Sequence, residues 1–214
     1  MQTLLKRLFS HNIKPPPLSK IILVCFSIFI AFYIIATFKY AGGSLSTPTA
    51  SNFLWTENYF CDMMNSTSIN GKKNLSRPFS IVALISLCIG ITTFFIWFSN
   101  EKMRQNNYSK TLKITGNLSI FFTSLIFTTW HDQFIILAII SGIIPSVIIL
   151  YAILKNINIY DIAFTLFVFT FLIGYILIYY LNIFETAHPI IQKCAVLLGL
   201  IWIIKTNFKA EDRR

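Results

Sequence analysis

Six apolar runs separated by short polar breaks set the pattern of this chain. Four of them, residues 21–38, 79–99, 134–154 and 162–181, are almost uninterrupted stretches of Ile, Leu, Val, Phe and Ala. A hydrocarbon core about 30 Å thick is crossed by roughly twenty apolar residues in an α-helix, so each run predicts a membrane span. A fifth run, 112–129, is uncharged apart from Lys113. The last, 190–204, is too short alone and fills a span only if its helix starts near Glu185, which predicts a span over 186–204. Residues 112–154 could be read as one long helix, but the polar Trp130-His131-Asp132-Gln133 break predicts a tight helical hairpin instead. The expectation is an all-α fold, a polytopic bundle of six transmembrane helices forming one membrane domain over 1–214.

The ends of the first run narrow the picture. Pro15-Pro16-Pro17 stops any helix before it, because proline lacks an amide donor and clashes with the preceding turn. A basic flank (Lys6, Arg7, Lys14, Lys20) resembles that of a secretory leader, but Phe38-Lys39-Tyr40-Ala41 does not offer small residues at both cleavage positions. The run is therefore read as a retained anchor.

Composition agrees with immersion in lipid. The chain is 55% hydrophobic and only 12% charged, with a mean hydropathy of +0.66. Soluble domains carry roughly twice that charged fraction, about 25%. A net charge of +10 would suit a nucleic-acid partner, but the basic residues sit in short clusters between apolar runs. That placement points to lipid headgroups and excludes nucleic acid. Of the four cysteines, Cys25, Cys88 and Cys194 lie inside apolar runs and only Cys61 lies in a long loop, so no disulfide framework is present. The abundance of Ile, Phe, Asn and Lys fits an AT-rich bacterial gene, hence a cell membrane of the bacterial inner-membrane type.

Basic residues also predict orientation. The two tails and the 100–113 and 155–161 loops hold thirteen Lys and Arg, whereas the 39–78 loop holds four, Lys39, Lys72, Lys73 and Arg77. Positive charge favours the cytoplasmic side, so both termini are expected there. Glu57, Asp62, Asp132, Glu185, His131 and His188 then all fall on the outer side.

The long outer loop, 39–78, predicts an amphipathic helix. Ser46-Thr47-Pro48 is a plausible start, and no further Gly or Pro follows before Met64. On such a helix Asn58, Asp62 and Asn65 share one face, opposite Phe53, Tyr59, Phe60, Met63 and Met64. Asn70-Gly71 reads as a turn. Two further signals sit inside spans. Lys193 lies about 12 Å below Glu185 at 1.5 Å per residue, where an ammonium must pair, snorkel or face water, and the expected partner is Asp132 or Asp62. Pro145 loosens the fourth span.

Glu57-Asn58-Tyr59-Phe60-Cys61-Asp62-Met63-Met64, followed by Ile69-Asn70-Gly71 and Asn74, resembles an outer-loop pattern of uncharacterised bacterial six-helix membrane proteins, as does Pro189-Ile190-Ile191-Gln192-Lys193. That resemblance implies the fold alone. Separately, Trp55-Thr56-Glu57-Asn58-Tyr59 is similar to the acidic motif of alkaline ceramidases, membrane hydrolases of the CREST superfamily that hold zinc in a helix bundle. That family's supporting serine and second histidine would fall at Phe127 and Gln192, and its helix count is seven.

Three functional readings follow. In the first, the outer mouth binds a divalent metal such as zinc, or a lipid headgroup, and possible hydrolysis of a lipid substrate goes with it. His131, His188, Asp62 and Asp132 are the candidate ligands, and Glu57 or Glu185 the candidate base, since zinc takes imidazole and carboxylate and a catalytic site needs three protein ligands plus water. In the second, a polar path near Lys193 marks a transporter. In the third, the outer segment docks a protein partner. Against all three stands the plain alternative that short outer loops at a headgroup boundary are polar in any case.

Overall fold

The computed structural model describes residues 18–103, 107–156 and 158–208. The tails that carry Lys6, Arg7, Lys14, the triple proline, Lys209, Arg213 and Arg214 lie outside the described residues, as does Arg104. Among the described residues the chain forms six α-helices: α1 (Leu18–Lys39), α2 (Arg77–Lys102), α3 (Asn107–Thr123), α4 (His131–Asn156), α5 (Ile159–Tyr180) and α6 (His188–Phe208). Short 3-10 turns occupy Cys61–Met64 and Glu185–Ala187. Five of the helices, all but α3, are long and apolar enough to cross a membrane. The chain is a multi-pass helical membrane protein.

Two helical hairpins build most of it. α1 packs along α2, and α3 along α4, while α6 leans on α5 and reaches α1 and α2 across the centre. Close approach depends on small residues, as in other membrane bundles. A Cβ at Gly90 would lie 2.5 Å from the Phe26 ring, so glycine is what lets α1 and α2 touch there. The centre is aromatic, with Phe94 against Trp202 (5.6 Å between centroids) and Trp97 and Phe98 beside it. The Trp202 indole donates to Thr165 Oγ1 (3.0 Å), which tethers α6 to α5, and Lys205 near Asp161 (3.6 Å) adds a second tie. Pro145 is buried within an α4 that runs on past it to Asn156.

Two expectations need correction. The third helix does not occupy 112–129: it starts five residues earlier and ends at Thr123. Ser124 and Thr128 hydroxyls donate to carbonyls three residues back, Phe121 and Leu125, and the amides there close tight turns instead of continuing the ladder. At 17 residues α3 falls short of the other five.

The amphipathic helix expected from Ser46 to Met64 is also absent. Residues 40–76 fold as an irregular cap whose only helical element is the Cys61–Met64 turn. Gly42 and Gly43 adopt φ of +112° and +87°, which no helix allows. Beyond them, polar side chains claim the amides a helix would use. Ser44 Oγ accepts from Thr47 N–H, Asn58 Oδ1 from Leu54 N–H and Asp62 Oδ2 from Tyr59 N–H. The Asn70-Gly71 turn does form, with Gly71 at φ +80° and its N–H donating to the Ser68 carbonyl.

Candidate functional site

Three asparagines hold the cap together. Asn58 is fully buried, and its amide donates to the Gly43 carbonyl (2.8 Å) and to Asp62 Oδ2 (3.0 Å) while its oxygen accepts from Leu54. Asn70 donates to the carbonyls of Ala41 and Ala50, closing the start of the cap onto its far turn. Asn74 spans the other end, donating to the carbonyls of Met63 and Asn65. Ser76 and Ser80 donate to the Met63 carbonyl as well, and Ser80 belongs to α2, so the 3-10 turn is pinned to that helix. An irregular backbone leaves many amides and carbonyls without ladder partners, and buried asparagines meet both needs at once.

The cap is then fastened to α6. Lys193 Nζ donates to the Asn58 carbonyl (2.5 Å) and to the Pro189 carbonyl (3.0 Å), with the Phe53 and Phe60 rings 5.6 and 5.9 Å away. Gln192 Oε1 accepts from Phe60 N–H (2.9 Å). The Tyr33 ring of α1 lies tilted against Phe60 (4.2 Å between centroids) and meets Trp55 edge-on (5.9 Å). Lys193 therefore faces the bundle and the cap, but the direct carboxylate pair expected for it is not made. The backbone carbonyl of Asn58 takes that place, and Asp62 acts on the ammonium only through its charge. Carbonyl oxygens and aromatic faces compensate an ammonium without a second desolvated charge.

The candidate metal ligands fare differently. Asp62 accepts from Asn58 and from Tyr59 N–H, so its Oδ2 is already engaged. His131 Nδ1 lies 2.9 Å from Asp132 Oδ1, an i, i+1 pair whose carboxylate is open to solvent. His188, 3% exposed, donates its Nε2 proton to the Ile183 carbonyl (2.7 Å), and its ring lies tilted against Tyr179. That contact stabilises a turn in which Asn182 and Phe184 hold positive φ. Among the described residues, no group of three or more His, Cys, Asp and Glu is placed to hold a metal ion. His131, His188, Asp62 and Asp132 thus do not assemble into the expected zinc centre: all four are engaged in local hydrogen bonds, Asp62 with Asn58 and Tyr59, His131 with Asp132 and His188 with Ile183.

The candidate bases are likewise placed apart. Glu57 accepts from the Ser44 hydroxyl and stabilises the cap's first turn. Glu185 is exposed at the start of its 3-10 turn. Asn65 is exposed, and its carbonyl serves Asn74.

The cap and the α3–α4 connection do meet at the end of α5, but of the residues expected around one mouth only His131 lines the cavity there; Asp62, Asp132, His188 and Glu185 do not. A cavity of about 150 Å³ opens at the cap end, lined by Tyr59, Cys61 and Met64 from the cap, Ile126 and His131 from the α3–α4 connection, and Tyr179 and Tyr180 from the end of α5. Ile135, Ile139 and Ile176 form its deeper wall together with Tyr175, and Gln192 closes the side toward α6. Burial sets the electrostatics. It raises the Asp62 carboxyl above the usual carboxylate range, opposed by the Asn58 and Tyr59 hydrogen bonds and by the Lys193 and His131 charges. Burial, helped by the Asp62 charge, pushes the Cys61 thiol up to about 12, so it stays protonated and inert. The Tyr59 phenol, also raised to about 12 chiefly by burial, stays a hydrogen-bond donor.

Sequence reasoning picked out Asn58, Asp62, His131 and Lys193 but missed Tyr59, Tyr179, Tyr180 and Gln192 as lining residues. Their signal was weak: tyrosines at span ends read as ordinary interface anchors. Compared with family models, curated proteins and solved structures, the chain has no match. Its own geometry carries the functional reading.

Proposed function

We propose that this is a multi-pass protein of a bacterial cell membrane, with both termini in the cytoplasm, whose outer mouth binds an amphipathic, lipid-like molecule. The observation that supports binding is the cavity where the cap and the α3–α4 connection meet the ends of α4 and α5, largely aliphatic in depth and edged by phenols and an imidazole. Small-molecule sites have this character, a mostly apolar concavity with a few placed polar groups. A headgroup reading is favoured over a metal because the imidazoles and carboxylates are dispersed. A transport path through Lys193 is disfavoured because its ammonium is fastened to the cap and does not line the cavity.

Orientation rests on the thirteen-to-four division of basic residues. Single cysteines at the exposed Ser46 and Ser66 should react with an impermeant thiol reagent in intact cells, and one at the exposed Lys110 should not. The reverse pattern overturns the orientation. Binding is tested by thermal unfolding of purified protein with added amphipaths. Ligand at about a hundred times its Kd stabilises by about 2.7 kcal/mol, and Ile135→Trp, which fills the cavity, should abolish that rise. Equal responses of the two proteins, or none, would contradict the proposal.

A further inference from the structure

We infer that the cavity takes the first methylenes of a chain-bearing amphipath with an uncharged headgroup, and that the chain leaves sideways between α4 and α5 into the outer half of the bilayer. This rests on the proposed function above and names its ligand class and its route of access.

Polarity along the cavity gives the ligand's direction. His131 is the first residue of α4 and Tyr180 the last of α5, and the deepest phenol, Tyr175, lies about 7.5 Å below Tyr180 at 1.5 Å per residue, so the polar groups occupy the cap end of the cavity. Ile135 and Ile139 follow His131 at four and eight residues, on one face of α4, and so line the wall to about 12 Å below it at 1.5 Å per residue. Ile176 meets them from α5. A headgroup-to-chain gradient therefore runs along the membrane normal, in the sense an outer-leaflet lipid has. A cavity of roughly 150 Å³ has room for an apolar group about the size of benzene. The rest of a longer chain must lie outside the cavity.

Packing gives the exit. α4 touches α5 far less than it touches α3, so the cavity's side wall is a thin seam. Directly below, Ile140 and Ile173 are exposed on the surfaces of α4 and α5, where an extended chain can continue in lipid contact. The roof is the opposite. Tyr59, Phe60 and Cys61 belong to the cap that Asn58, Gln192 and Lys193 hold in place, so access from the water side requires undoing buried hydrogen bonds.

Charge sets the headgroup class. No Lys or Arg lines the cavity, and the only lining group able to become cationic is His131, already beside Asp132. Asp62 lies close enough to feel the His131 charge. An anionic headgroup would meet no lining cation but the His131 imidazole, which Asp132 already faces, whereas hydroxyls and esters can bond to Tyr59, Tyr175, Tyr179 and Tyr180 without any charge mismatch.

The test uses the full chain in nanodiscs with a monoacylglycerol that carries a diazirine on the first methylenes of its acyl chain, and a phosphatidic-acid analogue with the same chain. After photolysis, peptide mass spectrometry maps the adducts. Expected are adducts at Ile135, Ile139 and Ile176, about tenfold stronger for the neutral probe than for the anionic one, a difference of about 1.4 kcal/mol. Ile139→Trp should remove them while the unfolding temperature is kept, and Ile176→Phe serves if that variant does not fold. Adducts spread evenly over the lining and over the lipid-facing Val147 overturn the inference. Adducts at Tyr59 and Tyr179 with none at Ile139 also overturn it, while leaving ligand binding at the mouth intact. Absence of adducts at both ends defeats the inference and the proposed function together.

Discussion

The cap and the α4–α5 seam lie on either side of the same cavity and are built on opposite principles. The cap, residues 40–76, has almost no regular structure, yet Asn58, Ser44, Ser68, Asn74 and Ser76 are all buried in it. Side chains satisfy its backbone, and Lys193 joins it to α6. The seam is wholly regular, two long apolar helices, yet little holds them together beyond shared lipid. Secondary structure is thus a poor guide to rigidity in this molecule. Hydrogen-bonded irregular backbone resists change because every loosened contact exposes a buried polar group. Apolar helices against lipid lose little when they part, since lipid tails replace helix contacts at nearly equal worth.

Substitutions can break that contrast in order of expected effect. Asn58→Leu comes first: it strands the Gly43 carbonyl and the Leu54 amide in a site with no room for water, for a loss of about 3–5 kcal/mol. Denaturant unfolding in detergent would measure it, together with proteolysis confined to 40–76. Lys193→Met follows, with a loss of about 2–3 kcal/mol from two hydrogen bonds to a charged donor. Combining it with Asp62→Asn should recover only a small part, because those two groups interact through space and not through a direct pair. Large recovery would show a carboxylate pair after all.

A pH scan sharpens the same point. Because burial raises the Asp62 carboxyl, the folded protein holds that proton more tightly than the unfolded chain does. Its stabilising contribution is full below the ordinary carboxylate value of about 3.9 and is lost as pH rises through the raised value. Asp62→Asn should flatten that decline, which thermal unfolding from acid to neutral pH would reveal. An unchanged profile would mean other groups cause it. The smallest effect belongs to the seam: Ile140→Ala, on the exposed face of α4, should cost under about 0.5 kcal/mol.

Much of the bundle was legible from apolar run lengths alone, because lipid imposes both length and composition on a span. The boundaries of α1, α2, α4, α5 and α6 fall within a few residues of their runs. The cap was not legible. Its apolar and polar residues recur at helical spacing, and Asn58 does meet Asp62, but through a tight turn and a side-chain bond and not along a helix. Nothing in the periodicity shows that Ser44, Asn58 and Asp62 would take up backbone amides. The Gly42-Gly43 pair precedes the expected helix and so did not count against it. Lys193 was singled out by depth, which is a property of the run, whereas its partner is a carbonyl, which every residue has and no sequence pattern distinguishes.

The meeting of the cap and the end of α5 over one outward mouth is tested most directly by a cysteine pair at Tyr59 and Tyr179, whose ring centroids lie 6.5 Å apart. In a background with Cys25, Cys61, Cys88 and Cys194 replaced by alanine or serine, a short, membrane-impermeant bifunctional thiol reagent is added to intact cells. Cross-linking of this pair, with none for a Tyr59 and Val147 pair, is the predicted result. No cross-link between Tyr59 and Tyr179, or one that appears only after the cells are permeabilised, would contradict the shared mouth in the first case and its outward placement in the second.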